Sequence, residues 1–124
     1  MTSLLILKIV KTFKLSISKE KVLVSEKSSR MPGTSAELNY SDILTVEDLL
    51  HGLMLPSGND AAIALGEWGG KTIRKYCNLA NKHLNYKGSN SKSLNFFTDY
   101  AVEKITYQKL FIYHMNKAAR ALNL

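Results

Sequence analysis

Cysteine is almost missing from this chain of 124 residues: Cys77 stands alone. That excludes an internal disulfide, a Cys-x-x-Cys redox pair and a cysteine-based zinc set, and leaves the redox compartment open. Long apolar runs are missing too. The stretch from Leu4 to Val10 is interrupted by Lys8 and has neither a basic flank nor a small-residue cleavage site, so no signal peptide is expected. No run approaches the roughly 20 apolar residues that cross a bilayer, and the chain is expected to be soluble unless another segment anchors it. Acidic residues are the scarcer charge, 10 against 17 basic, for a net charge of +7. The lysines are spread from Lys8 to Lys117 without a compact cluster, so nucleic acid is not an expected partner. His51, His83 and His114 form no His-Glu-x-x-His spacing, which argues against a metal site. His51, one turn after Asp48, is read as the polar side of a helix and not as part of a Ser-His-Asp set.

What is present suits a single globular core: 45% hydrophobic and 22% charged residues, with no sign of a second domain. Leu5, Ile6, Ile9, Val10 and Phe13 predict a helix over 2–15 that starts without a good capping residue. Val22, Leu23, Val24 and Ser25 read as a short strand, and Ser28 to Ala36, with Pro32 and Gly33, as a loop. Thr45 to Asp48 resembles a capping box, although aspartate reaches back less well than glutamate would. Val46, Leu49, Leu50 and Leu53 then give an apolar face until Pro56 stops the helix. After the turn Ser57-Gly58-Asn59, either Asn59 or Asp60 can cap a helix rich in small residues, Ala61, Ala62 and Ala64, with Ile63, Leu65 and Trp68 adding bulk. That helix is expected to end at Gly69 and Gly70. Ile73, Cys77, Ala80 and Leu84 suggest a further helix before the polar run Gly88 to Ser93. Phe111, Met115, Ala118 and Leu122 mark a last amphipathic helix without a terminal cap. Trp68, Tyr76 and the Phe96-Phe97 pair are expected to pack in the core instead of stacking on a ligand.

The chemistry-bearing segment is the turn Ser57-Gly58-Asn59 between two helices. Such triplets are common as plain turns followed by a cap. Here the surroundings carry a resemblance: TSAELNYSDILTVEDLLHGLMLPSGNDAA, from Thr34 to Ala62, is similar to the second signature region of the serine D-alanyl-D-alanine carboxypeptidases. FIYHMNKAARALNL, from Phe111 on, is similar to their following helix. The family combines Ser-x-x-Lys, Ser-x-Asn and Lys-Thr-Gly motifs. The resemblance implies catalytic roles for Ser57, which would relay a proton to the departing D-alanine nitrogen, and for Asn59, which would hydrogen-bond the substrate's peptide carbonyl and orient the nucleophile's lysine. Gly58 and Asn59 would form part of the substrate site. It implies an acyl-enzyme mechanism with no cofactor and no metal, a peptide ending in D-Ala-D-Ala as substrate, and β-lactams as ligands of the full enzyme. The bacterial relatives act outside the cytoplasm.

The other two motifs are not found in context. The helix beginning at Met1-Thr2 resembles the one that follows the family's nucleophile, so Ser-x-x-Lys is expected immediately before Met1 and Lys-Thr-Gly beyond Leu124. Ser16 to Lys19, Ser18 to Lys21 and Ser89 to Lys92 spell Ser-x-x-Lys but open no apolar helix, and chance explains them in a chain rich in serine and lysine. Gly70-Lys71-Thr72 has Ile73 where the third motif needs glycine, and its position is helical by pattern. Residues 71–109 exceed the family's connection and are read as an insertion. The expected fold class is α/β: one partial peptidase domain over 1–124, a mostly helical portion of the serine β-lactamase and transpeptidase-like fold that lacks most of its central sheet. The chain by itself is expected to be inactive. A non-catalytic peptide-binding module is the alternative, and a serine β-lactamase the alternative enzyme, although Gly58 in place of aspartate favours the carboxypeptidases.

Overall fold

The computed structural model describes residues 1–82 and 106–124. Among them the chain forms α1 (Thr2–Thr12), β1 (Lys21–Leu23), α2 (Glu26–Ser29), β2 (Ile43–Thr45), α3 (Val46–Met54), α4 (Asn59–Lys82) and α5 (Tyr107–Ala121). The molecule is mostly helical with one two-stranded sheet, in keeping with the expected fold class.

Helix α1 buries Leu5, Ile6 and Ile9 completely and leaves Leu4 and Leu7 about half exposed on its far side. Met1 caps it without a side-chain hydrogen bond, as the sequence implied. It is shorter than the apolar period suggests, because Lys14 turns into the left-handed region at φ 53°. Leu15 then bonds back through its N–H to the Val10 carbonyl at 2.9 Å.

The strand read from Val22 to Ser25 is β1, and its partner β2 was not legible. The two pair antiparallel with Val22 opposite Leu44. Val24 extends the ladder by donating to the Asp42 carbonyl at 2.8 Å and accepting from the Ser41 N–H at 3.0 Å. Three residues that run straight into a helix cap are too few to show a period of two. The loop reading over Ser28 to Ala36 needs a correction at its start. Ser28 and Ser29 belong to the one-turn helix α2, whose N-cap Ser25 accepts from the Ser28 N–H at 3.1 Å. Four polar residues carry no apolar signal, so only the local cap reveals such a turn.

Helix α3 opens with the anticipated box in full. The Thr45 hydroxyl accepts from the Asp48 N–H at 3.0 Å, and the Asp48 carboxylate accepts from the Thr45 N–H at 3.1 Å. Hydrogen bonding to the Thr45 side chain first, and to the Thr45 N–H second, holds the Asp48 carboxyl below its usual range. Val46 and Leu49 are the buried residues of this helix.

Helix α4 overturns one expectation: Gly69 and Gly70 do not end it, and it runs unbroken over 24 residues. A terminating glycine adopts positive φ. Among the described residues Gly33 is the one glycine that does. The pair serves close approach instead. A Cβ on Gly69 would lie 2.7 Å from the Phe111 ring, and one on Gly70 would run into the Tyr107 backbone. The sequence pattern reports a gap in the apolar face; only the partner helix shows that the gap is filled by α5.

The core forms where α1, α3 and α5 pack on α4, around Ile6, Leu49, Leu65, Ile73 and Leu110. Cys77 belongs to it, and burial pushes its thiol up to about 11, which makes it an inert core residue. Helix α5 starts at Thr106, whose hydroxyl accepts from the Lys109 N–H. Its inner face is Leu110, Phe111, His114 and Ala118, while Leu122, expected on that face, is 52% exposed. The helix also has a terminal closure the sequence reading lacked. Asn123 takes φ 57°, and Leu124 donates to the Ala119 carbonyl at 2.9 Å. Asparagine is the residue that best replaces glycine there.

Candidate functional site

The turn between α3 and α4 is held by its main chain. Ser57 adopts φ 53°, a conformation that costs an L-residue about 1–2 kcal/mol and that concentrates at functional positions. Thr34 holds it by donating its hydroxyl to the Ser57 carbonyl at 2.6 Å. The Gly58 N–H donates to the Gly52 carbonyl at 3.1 Å, and the Asn59 N–H to the Thr34 carbonyl at 2.8 Å. Gly58 is buried, and a Cβ there would meet the Gly52 carbonyl and the Ala36 nitrogen within 2.9 Å. Ser57 and Asn59 are both exposed.

The two polar side chains differ in their constraints. Asn59 donates its side-chain amide to the Pro32 carbonyl at 2.9 Å. The fit depends on Gly33, at φ 92°, where a Cβ would stand 2.6 Å from the amide nitrogen. The exposed Ser57 hydroxyl takes no part in the hydrogen bonds among the described residues.

Asp60 is the residue whose importance sequence reasoning missed. It was read as a possible cap, yet it is 1% exposed and gathers four donors. Its Oδ1 accepts from the N–H groups of Ala36 at 2.9 Å and Ala61 at 2.8 Å. Its Oδ2 accepts from the Ser35 hydroxyl at 2.8 Å and the Leu38 N–H at 3.1 Å. Burial pushes this carboxyl up, but the four bonds outweigh it and hold it below its usual range. One buried anion thereby ties the segment 34–38 to the start of α4 and supports the turn from behind. The available signal was that the family-like stretch begins at Thr34, well before the motif.

The remaining candidates are not gathered around this turn. Ser16 and Ser18 lie in a turn between α1 and β1, hydroxyl to hydroxyl at 3.1 Å, and open no helix. Gly70, Lys71 and Thr72 lie in the middle of α4. His51 and Asp48 are exposed on α3, whereas His114 is buried on α5. Among the described residues no three His, Cys, Asp or Glu side chains come together as a metal set, and no helix is long and apolar enough to cross a membrane. Trp68 is buried, and Tyr76 stacks on Phe13 with ring centres 4.8 Å apart, so both pack as expected. His83, Ser89, Lys92, Phe96 and Phe97 lie outside the described residues.

A serine, glycine and asparagine on a strained, rigidly backed turn can present one free hydroxyl and one oriented amide to a bound molecule. Comparison with known proteins gives this arrangement a context. The family model described as D-alanyl-D-alanine carboxypeptidase matches residues 1–96. The D-alanyl-D-alanine carboxypeptidase DacF of Bacillus subtilis is 31% identical over 93 residues, which are 75% of this chain and 24% of that protein. The crystal structure of a Streptomyces DD-transpeptidase superposes with a TM-score of 0.58 at 28% identity, covering 99% of this chain and 37% of that one. The chain thus spans about a quarter of the curated relative's length.

Proposed function

The chain belongs to the D-alanyl-D-alanine carboxypeptidase family, and from that premise we propose that it forms the Ser-x-Asn part of a serine-type peptidase. The substrate would be a peptidoglycan-like peptide ending in D-Ala-D-Ala, cleaved through an acyl-enzyme, with β-lactams as ligands of the complete site. Ser57 passes a proton to the leaving D-alanine nitrogen. Asn59 hydrogen-bonds the substrate's peptide carbonyl and orients the lysine of the nucleophile, while Gly58 keeps the backbone of this part of the substrate site tight. The observation that carries this reading is the turn itself: Ser57 is exposed and strained at φ 53°, with its hydroxyl uncommitted, on a backbone pinned by Thr34 and Asp60. Left-handed φ also occurs at Lys14 and Asn123, so it is the exposed hydroxyl on a pinned backbone that supports the reading.

Among the described residues no nucleophile and general base accompany the turn. Neither Ser16 nor Ser18 opens a helix, and Gly70-Lys71-Thr72 lacks the third-motif glycine. Hydrolysis by this chain alone is therefore not expected. The unit is a single partial peptidase domain, with its insertion over 71–109 entering through the second half of α4. No metal or organic cofactor enters the scheme.

Incubation with a fluorescent penicillin followed by denaturing electrophoresis tests this directly. No covalent label is expected, and a label mapped to Ser16, Ser18 or Ser89 would overturn the assignment. The second reading, a peptide-binding module without catalysis, is favoured by the uncommitted Ser57 hydroxyl beside Asn59. In the same samples it would appear as reversible D-Ala-D-Ala binding that is lost in Asn59→Ala.

A further inference from the structure

Along the middle of α4, away from Ser57, lies a concave site that the peptidase reading does not use. Residue 74 is 15 positions after residue 59, which is about 22 Å along the helix axis. The second half of α4 carries Lys71, Arg74 and Lys75 at i, i+3 and i+4, a spacing that puts three like charges side by side. Two of them share one ring: the Lys71 ammonium and the Arg74 guanidinium lie 5.7 and 4.5 Å from the centre of Tyr107. The Lys75 ammonium lies 5.4 Å from the centre of Tyr76. Stacking on aromatic faces orients these cations, which free surface lysines are not.

The three cations line a cleft of about 430 Å³ with Trp68, Thr72, Tyr76 and Tyr107, and among the described residues Glu20 is the one carboxylate in that lining. The volume falls within the range of small-molecule sites, roughly 300–1,000 Å³. A phosphate monoester carries about −1.5 to −2 charges at neutral pH, which suits a wall that carries several cations. The planar guanidinium fork and the point-charge ammonium groups are the two side-chain types that hold phosphoryl oxygens.

We propose that this cleft binds the phosphate group of a small phosphorylated molecule, with Lys71, Arg74 and Lys75 supplying the charge and Tyr76 and Tyr107 the walls. The site is independent of the Ser57 turn, so it stands or falls separately from the peptidase assignment.

Trp68, the sole tryptophan of the chain, lines the cleft and reports its occupancy. Its fluorescence is followed while the full chain is titrated with glycerol 3-phosphate and with inorganic phosphate, sodium chloride holding the ionic strength constant. A saturable change with both phosphates and none with sodium acetate is expected. Lys71 and Lys75 are exposed, so the double variant Lys71→Gln/Lys75→Gln keeps the fold, as far-ultraviolet circular dichroism will check. It should bind about tenfold or more weakly, the loss expected when charged hydrogen-bond donors are removed. Arg74→Gln should weaken binding by a similar factor. A response that acetate reproduces, or one that the double variant leaves unchanged, would overturn the proposal. So would saturation by polyuridylate with none by glycerol 3-phosphate, because the surface would then be an extended polyanion track.

Discussion

Asp60 and Ser57 are the two residues on which the turn depends, and they pull stability in opposite directions. The Asp60 carboxylate satisfies the N–H groups of Ala36, Leu38 and Ala61 and the Ser35 hydroxyl in a place where water does not reach. Asp60→Ala would strand those donors, and the loss should be about 3 kcal/mol or more in urea unfolding. A midpoint within experimental error of the parent would refute the anchoring role. The same carboxyl sets a pH dependence. Its folded-state value lies below the unfolded one, so its contribution is complete above the unfolded value, near 3.8, and drains away as pH falls through the folded value. Asp60→Asn should flatten the stability profile below about pH 4, measured as melting temperature against pH. Ser57 works the other way, since its φ of 53° is strain that glycine would not carry. Ser57→Gly is expected to raise stability by up to about 1 kcal/mol while removing the hydroxyl that the peptidase reading uses. A lower melting temperature for that variant would mean that the hydroxyl, and not the backbone, holds the turn.

At the scale of elements, the α4–α5 contact is the packing most sensitive to a single methyl group. Gly70 meets the Tyr107 backbone with no room for a Cβ. Gly70→Ala must therefore push α5 outward even though alanine is the better helix former. The packing term is expected to win, with a net loss of about 2–3 kcal/mol by chemical denaturation. A stabilised variant would show that intrinsic propensity outweighs the contact. The sequence separated the elements well where a cap or a sustained period existed, as at Thr45 and along α1. It failed where a partner supplied the reason. β2 is three residues long and defined by β1, and Gly69 and Gly70 look like a helix stop until Phe111 and Tyr107 are placed beside them.

For the whole molecule, the arrangement of helices around α4 leaves several large apolar side chains exposed. Leu4 and Leu7, three residues apart on α1, are 46% and 49% exposed, and Leu23 and Ile43 stand out from the sheet at 62% and 66%. Exposed apolar surface promotes association. Leu4→Lys/Leu7→Lys should reduce light scattering at high protein concentration and leave the melting temperature within about 2 °C, since neither side chain contributes to the core. A large fall in melting temperature would show that α1 buries more than its inner face.

The amino-acid sequence by itself determined the helical character, the core faces of α1 and α3, and the Ser57-Gly58-Asn59 turn. It also determined membership of the peptidase family, because caps, apolar periods and a motif with its flanks are local properties of a chain. Tertiary structure alone decided that α4 continues through two glycines, that a buried Asp60 binds the segment 34–38 to the motif, and that Lys71, Arg74 and Lys75 meet Tyr76 and Tyr107 in a cleft. Each of these depends on residues far apart in the chain, and a desolvated carboxylate or a missing Cβ acquires its energetic meaning only from the atoms packed against it.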